Sequence, residues 1–210
     1  MRVLIACEES QAVTIEFRKL GHEAYSCDIL PCSGGHPEWH IQGDVIPQLN
    51  KQWDIIIAFP PCTYLSNAGA ARLYPKKGIL NQERYEKGLR AKEFFMRFIN
   101  ADCEKIAVEN PIHTRVFDMP KYNQIIQPFE FGHPYSKKTC LWLKNLPPLM
   151  STKIMGGDNI ISWVSGGSKD HKGNKRKQSG TKFRDSKTKS KTFPGIARAM
   201  AEQWGGKNDR

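Results

Sequence analysis

Apolar and polar positions alternate along this 210-residue chain in a rhythm of short buried runs and amphipathic stretches. Residues 2–6 (RVLIA) form a five-residue run that predicts a buried first strand. Over residues 11–20, Val13, Ile15, Phe17 and Leu20 follow a helical pattern, which Gly21 stops. HEAYSCDIL (22–30) predicts a second strand with Asp28 near its end. A Gly/Pro-rich loop leads to Gly43-Asp44-Val45, and DIIIAF (54–59) is apolar throughout, as in strands that parallel sheets bury on both faces. The longest helical pattern spans 80–100, with Leu89, Phe94, Phe95, Phe98 and Ile99 as its apolar stripe. KIAVEN (105–110) predicts another buried strand, followed by shorter ones at 124–131 and 139–143. FPGIARAMAEQW (193–204) predicts a closing helix. No internal repeat is present.

Strands alternating with helices predict an α/β fold with a mainly parallel sheet. Ligands of such sheets bind at the carboxyl ends of the strands. Asp28, Asp44, Cys62 and Glu109 each follow a predicted strand, so they are expected to converge on one edge. No apolar run reaches the roughly 18–20 residues of a membrane helix. The N-terminus turns acidic too soon for a signal peptide.

The six cysteines contain no C-x-x-C pair, which argues against a zinc ribbon, a redox pair or a disulfide framework and predicts a reducing, cytoplasmic setting. The net charge of +11 is regional: residues 169–191 hold ten Lys or Arg against two Asp. A one-signed segment punctuated by Gly and Ser and carrying Phe183 predicts contact with a phosphate backbone, a solvated loop being the alternative. Lys175, Arg176, Lys177, Lys182 and Arg184 are its candidate contacts. The expected organisation is a catalytic core at 1–146, a small basic insertion at 147–192, and a helix at 193–210 that packs back on the core.

AFPPCTYLS (58–66) concentrates the chemistry. Pro60 and Pro61 stiffen a turn that delivers Cys62 at the end of a strand. Glu109 occupies the equivalent place on another strand. A thiolate beside a carboxyl suits nucleophilic attack on an electron-poor ring, with the acid bonding or protonating that ring. His36-Pro37-Glu38 matches the His-x-Glu of zinc deaminases, but the Pro-Cys-x-x-Cys partner is missing. No histidine spacing indicates a metal. Gly-Gly at 156–157 and 166–167 reads as loop punctuation, and Trp142 and the three phenylalanines as core.

FPPCTYLS resembles the Pro-Cys nucleophile motif of the DNA cytosine-5 methyltransferases, with Ser66 matching a serine further along the loop. Glu109-Asn110-Pro111 is similar to that family's Glu-Asn-Val motif, and Gly43-Asp44-Val45 to its Gly-Asp-Ile segment. TFPGIARAMAEQW resembles the last motif. The compact chain looks like the small bacteriophage and prophage members, over residues 1–145 and 192–204. The resemblance implies a Rossmann-like S-adenosylmethionine-dependent methyltransferase fold with helices on both faces of the sheet. It further implies methyl transfer from S-adenosylmethionine to carbon 5 of a flipped cytosine in double-stranded DNA.

On that resemblance, Cys62 is the nucleophile and Glu109 grips the cytosine. Ser66, Asn110, Lys137 and Thr139 contact the substrate. Asp28, Asp44 and Pro60 contact the cofactor. Two departures stand out. ACEESQA (6–12) replaces the family's glycine-rich first loop, so cofactor contacts there fall to Cys7, Glu8 or Ser10. HPYSKKT (133–139) replaces its Gln-x-Arg-x-Arg motif, with Lys137 and Thr139 for two arginines. The alternatives are a non-catalytic DNA-binding relative and a same-scaffold enzyme acting on carbon 5 of a cytidine nucleotide.

Overall fold

The computed structural model describes residues 1–76, 78–156, 160–163 and 190–206. Seven strands form one sheet: β1 (Arg2–Ala6), β2 (Glu23–Asp28), β3 (His40–Gln42), β4 (Ile55–Ala58), β5 (Lys105–Pro111), β6 (Gln124–Ile126) and β8 (Thr139–Lys144). Their order is β3-β2-β1-β4-β5-β8-β6. The first five are parallel, and β8 runs antiparallel to both β5 and β6. A two-stranded ribbon pairs β7 (Tyr135–Ser136) with β9 (Ile161–Ser162).

Both faces of the sheet are covered, which explains the unbroken apolar runs. Val3, Ile5, Ile55, Ile57 and Leu141 pack with α1 (Ala12–Lys19) and α3 (Pro194–Met200, continued by a π-helical turn, Ala201–Gly205). On the other face Leu4, Ile56, Ala58, Val108 and Trp142 pack with Phe95 and Phe98 of α2 (Gln82–Ile99). The alternation is a strand's period of two, read out on a sheet buried twice. The fold is Rossmann-like, an α/β sheet wound in both directions from β1.

Several elements are shorter than their sequence pattern. The run at 22–30 is strand only to Asp28, and Ile29 and Leu30 are exposed. Gly43-Asp44-Val45 follows β3 as a bend that leads into a 3-10 turn at Ile46–Asn50. The run at 124–131 breaks at Pro128, where a 3-10 turn with a capping box takes over. Leu89, expected in the apolar stripe of α2, is 44% exposed. The contact with Phe117 is made instead at Gly88, where a Cβ would meet that ring at 2.0 Å. Gly195 has the same cause: the start of α3 lies so close that a Cβ would stand 2.0 Å from the Phe131 carbonyl oxygen.

The stretch after Leu146 is laid along the core. Leu149 is buried and exchanges two hydrogen bonds with the Gln124 side chain, and Trp204 donates to the Pro147 carbonyl at 2.9 Å. Among the described residues, no helix is long and apolar enough to cross a membrane.

Candidate active site

Strand order reverses between β1 and β4: β2 and β3 lie to one side, β5 to the other. A crevice opens at such a switch point. Here it is a cavity of about 500 Å³ that the ends of β1, β4 and β5 share. Cys7, Glu8, Glu9 and Ser10 line it from β1, Phe59 to Cys62 from β4, and Glu109 to Ile112 from β5. Residues 66–68, Lys137, Lys138 and residues 190–192 complete the wall.

The turn that carries Cys62 is held from several directions. The Cys62 carbonyl accepts from the Leu65 and Ser66 amides at 3.1 and 2.9 Å, and the Leu65 side chain is fully buried. Asn67 donates to Ile112 O at 2.8 Å and Thr114 to Leu65 O at 2.9 Å, so a short ladder with Ser66 opposite His113 sews the turn to the chain after β5. From outside, Arg84 of α2 donates to Thr63 O at 2.8 Å and lies over the Tyr64 ring. From inside, the buried Asn110 amide donates to Pro60 O at 2.7 Å and to Glu109 O at 3.0 Å.

Glu109 lies within β5, inside the 105–110 run that predicted the strand, and is paired opposite Leu141. Burial pushes its carboxyl above the usual range, opposed by the nearby Lys137 cation and a hydrogen bond with Thr139. Burial also raises the Cys62 thiol, the Glu109 charge raises it further, and Lys137 pulls it down. Thiol, carboxyl and ammonium therefore sense one another across the cavity. A proton is held more readily at Glu109 than at a free carboxyl, and the thiol is protonated at rest. That arrangement can donate a proton to a ring nitrogen, while the thiol, once it has lost its proton, attacks a neighbouring carbon.

The β1 side follows different rules. Cys7 takes a left-handed φ of 58°, a conformation that non-glycine residues adopt at a cost of order 1–3 kcal/mol. A sharp turn after β1 is thus made without a glycine. Glu8 lines the cavity but is buried, its two oxygens accepting from Val13 N, Thr14 N and the Thr14 hydroxyl, so it caps α1. Asp28 and Asp44 stand beside the cavity and not in its wall. Both raise the Cys7 thiol, after burial, and each accepts an amide two residues on (Leu30 and Ile46).

Thr139 is buried behind Glu109, its hydroxyl 3.3 Å from Lys137 O. Lys175, Arg176, Lys177, Lys182 and Arg184 fall outside the described residues. The sequence reading named neither Lys138 nor His113 as a site residue, and it gave residues 190–192, the end of the basic segment and the start of the last motif, no place in the cavity wall; Lys191 donates to Ser33 Oγ at 3.4 Å. Their only signal was position, next to the 133–139 segment, the Glu-Asn-Pro motif and the last motif. Among the described residues, no group of three or more His, Cys, Asp or Glu side chains could hold a metal ion. His36 stacks on Trp39 at 3.9 Å and pairs with Glu38.

No family model matches the chain, and no curated protein does. Among solved structures, similarity is found to a DNA modification methyltransferase encoded within a prophage in E. coli, at 14% identity and a TM-score of 0.43, covering 79% of this chain and 58% of that one. The S. pombe Dnmt2 methyltransferase is similar at 14% identity and a TM-score of 0.43, over 70% of this chain and 51% of that one. A Spodoptera frugiperda DNMT2 mutant is similar at 16% identity and a TM-score of 0.34, over 79% and 55%. The chain therefore spans between half and three fifths of the length of these structures.

Proposed function

We propose that this protein transfers a methyl group from S-adenosylmethionine to carbon 5 of cytosine in DNA, through a transient bond to Cys62. One observation carries the reading: a thiol on a stiff Pro-Pro turn and a carboxyl with raised proton affinity border one cavity, with a lysine influencing both. Carbon 5 of cytosine is a weak nucleophile. The Cys62 thiol would give up its proton to water, and the thiolate bonds to carbon 6 as Glu109 gives a proton to N3, which makes carbon 5 enamine-like. Carbon 5 would take the methyl group, the donor's sulfur leaving as a neutral thioether; water then takes the carbon 5 proton as the thiolate is expelled, and N3 returns its proton to Glu109.

The donors around the cavity fit the cofactor. Asp28 and Asp44 offer carboxylates, and Ile29 and Leu30 offer uncovered apolar surface beside them, the pairing that a ribose and an adenine ring require. Cys7, Ser10 and Pro60, with the Glu8 turn, would hold the rest. When bound, S-adenosylmethionine supplies an electrophilic methyl group. Ser66, Asn110, Lys137 and Thr139 border or support the base pocket. A base inside a duplex must leave the stack to reach Cys62, at a cost of a few kcal/mol. Double-stranded DNA as substrate rests on the basic segment, whose Lys175, Arg176, Lys177, Lys182 and Arg184 are assigned to phosphates.

The test is incubation with labelled S-adenosylmethionine and duplex DNA, followed by nucleoside analysis. Labelled 5-methylcytosine is expected, and none with Cys62→Ala. DNA carrying 5-fluorocytosine should trap the wild-type protein covalently, because no proton can leave carbon 5. An active preparation that forms no trapped complex would sink the mechanism.

A further inference from the structure

His113 lies three residues beyond Asn110, outside the cavity wall, yet its ring is held by two aromatic neighbours and one hydrogen bond. It stacks on Trp142 with centroids 5.0 Å apart and planes 20° apart, and meets Phe95 edge-on at 5.4 Å. Its Nε2 is 3.0 Å from Asn110 Oδ1. Asn110 allows only one assignment there. Two carbonyl oxygens, of Pro60 and Glu109, face the other end of its amide, so that end is the NH2 and the oxygen faces His113. A lone pair on Nε2 would then oppose the lone pairs of Oδ1, so Nε2 carries the proton. The buried Nδ1 has no hydrogen-bond partner. Burial pushes the ring's pKa down to about 4, so it stays neutral through the physiological range.

We propose that His113 is a positioning residue for Cys62: by donating Nε2–H to Asn110 it aims that amide at Pro60 and Glu109, and so sets the gap between the thiol's turn and the carboxyl's strand. The inference rests on the reading of Cys62 as nucleophile. The geometry has a built-in logic. Asn110 has two donor hydrogens and uses them to tie the two catalytic segments together. Without the acceptor end held, the amide keeps its two acceptors but loses the restraint on its tilt, and its hold on Pro60 O loosens. The Phe95 and Trp142 rings keep His113 from moving with the amide, so the restraint is a fixed one.

His113→Phe keeps the ring packing and removes the donor, whereas His113→Gln keeps an N–H donor on a shorter, unstacked side chain. Methyl transfer is measured beside alkylation of Cys62 by iodoacetamide, read by peptide mass spectrometry, with the fully buried Cys140 as internal control. His113→Phe is expected to lower kcat on the order of 10–100-fold, the scale of a roughly 1 Å misplacement, with KM for DNA little changed. Cys62 should alkylate faster, because a loosened turn lets water reach the thiol, while Cys140 stays slow. His113→Gln should recover most of the rate.

Wild-type kcat and Cys62 alkylation in His113→Phe would overturn the proposal. So would Gln performing as poorly as Phe, or Cys62 and Cys140 becoming reactive together, which would mark general loosening. If neither variant folds, the ¹⁵N spectrum of histidine-labelled wild-type protein decides: an Nε2-protonated neutral ring down to about pH 5 is expected, and an Nδ1-protonated ring refutes the relay. If wild-type protein transfers no methyl group but the alkylation pattern holds, the functional reading fails and the positioning role stands.

Discussion

Gly88→Ala sets two effects of opposite sign against each other in the middle of α2. An interior Gly-to-Ala change favours a helix by about 1 kcal/mol. Here the new Cβ would stand 2.0 Å from Phe117 Cζ and 2.4 Å from Cε1. Carbon atoms rest at about 3.5–4.0 Å, so the ring must retreat by roughly 1.5 Å. It has little room: Phe117 is 2% exposed and stacks on Tyr85 with centroids 5.7 Å apart. Overpacking of this kind costs about 1–3 kcal/mol, and this contact belongs at the upper end. The clash wins by about 1–2 kcal/mol. At about 2–4 °C per kcal/mol for a chain of this size, the melting temperature should fall by about 2–8 °C. Calorimetric or circular dichroism melts read this directly. In a Phe117→Leu background the same change should cost less, with a coupling of about 1 kcal/mol or more. A Gly88→Ala protein that melts at or above wild type would refute the argument from close approach.

Lys137→Met should move the pH midpoint of Cys62 alkylation upward. The ammonium lowers both the thiol and the Glu109 carboxyl, so its removal disfavours both anions; an unchanged midpoint would show that Lys137 does not govern the site. Burial pushes Glu8 from 4.5 up to about 7, opposed by its bonds from Val13 and Thr14. Its proton is held more tightly in the folded state, so stability should fall as pH rises from about 4.5 to about 7, by up to about 3 kcal/mol. Urea titrations across that range should show the slope in wild type and its loss in Glu8→Gln; equal slopes in both would refute the assignment.

The winding of the fold was legible in the sequence because each element announces itself locally. A sheet covered on both faces demands unbroken apolar strands such as Ile55-Ile56-Ile57, and a helix on its surface repeats near 3.6 residues. The rule that sites form beyond strand ends then carried Cys62 and Glu109 to one crevice, although 47 residues separate them, and left Asp28 and Asp44 beside it. Periodicity could not say where a strand stops: the run at 22–30 gives up pairing after Asp28, and Ile29 and Leu30 lie exposed. Nor could it say which polar groups a crowded interior would claim: Glu8 faces the cavity in sequence order, but α1 takes both its oxygens. Leu89 fits the apolar stripe, yet the ring that α2 must admit is Phe117, and only a glycine admits it. The His113–Asn110–Pro60 chain spans residues 60 to 113 and leaves no periodic trace. Local pattern records what one segment does with water, whereas a hydrogen bond between distant segments exists only once the sheet has brought them together.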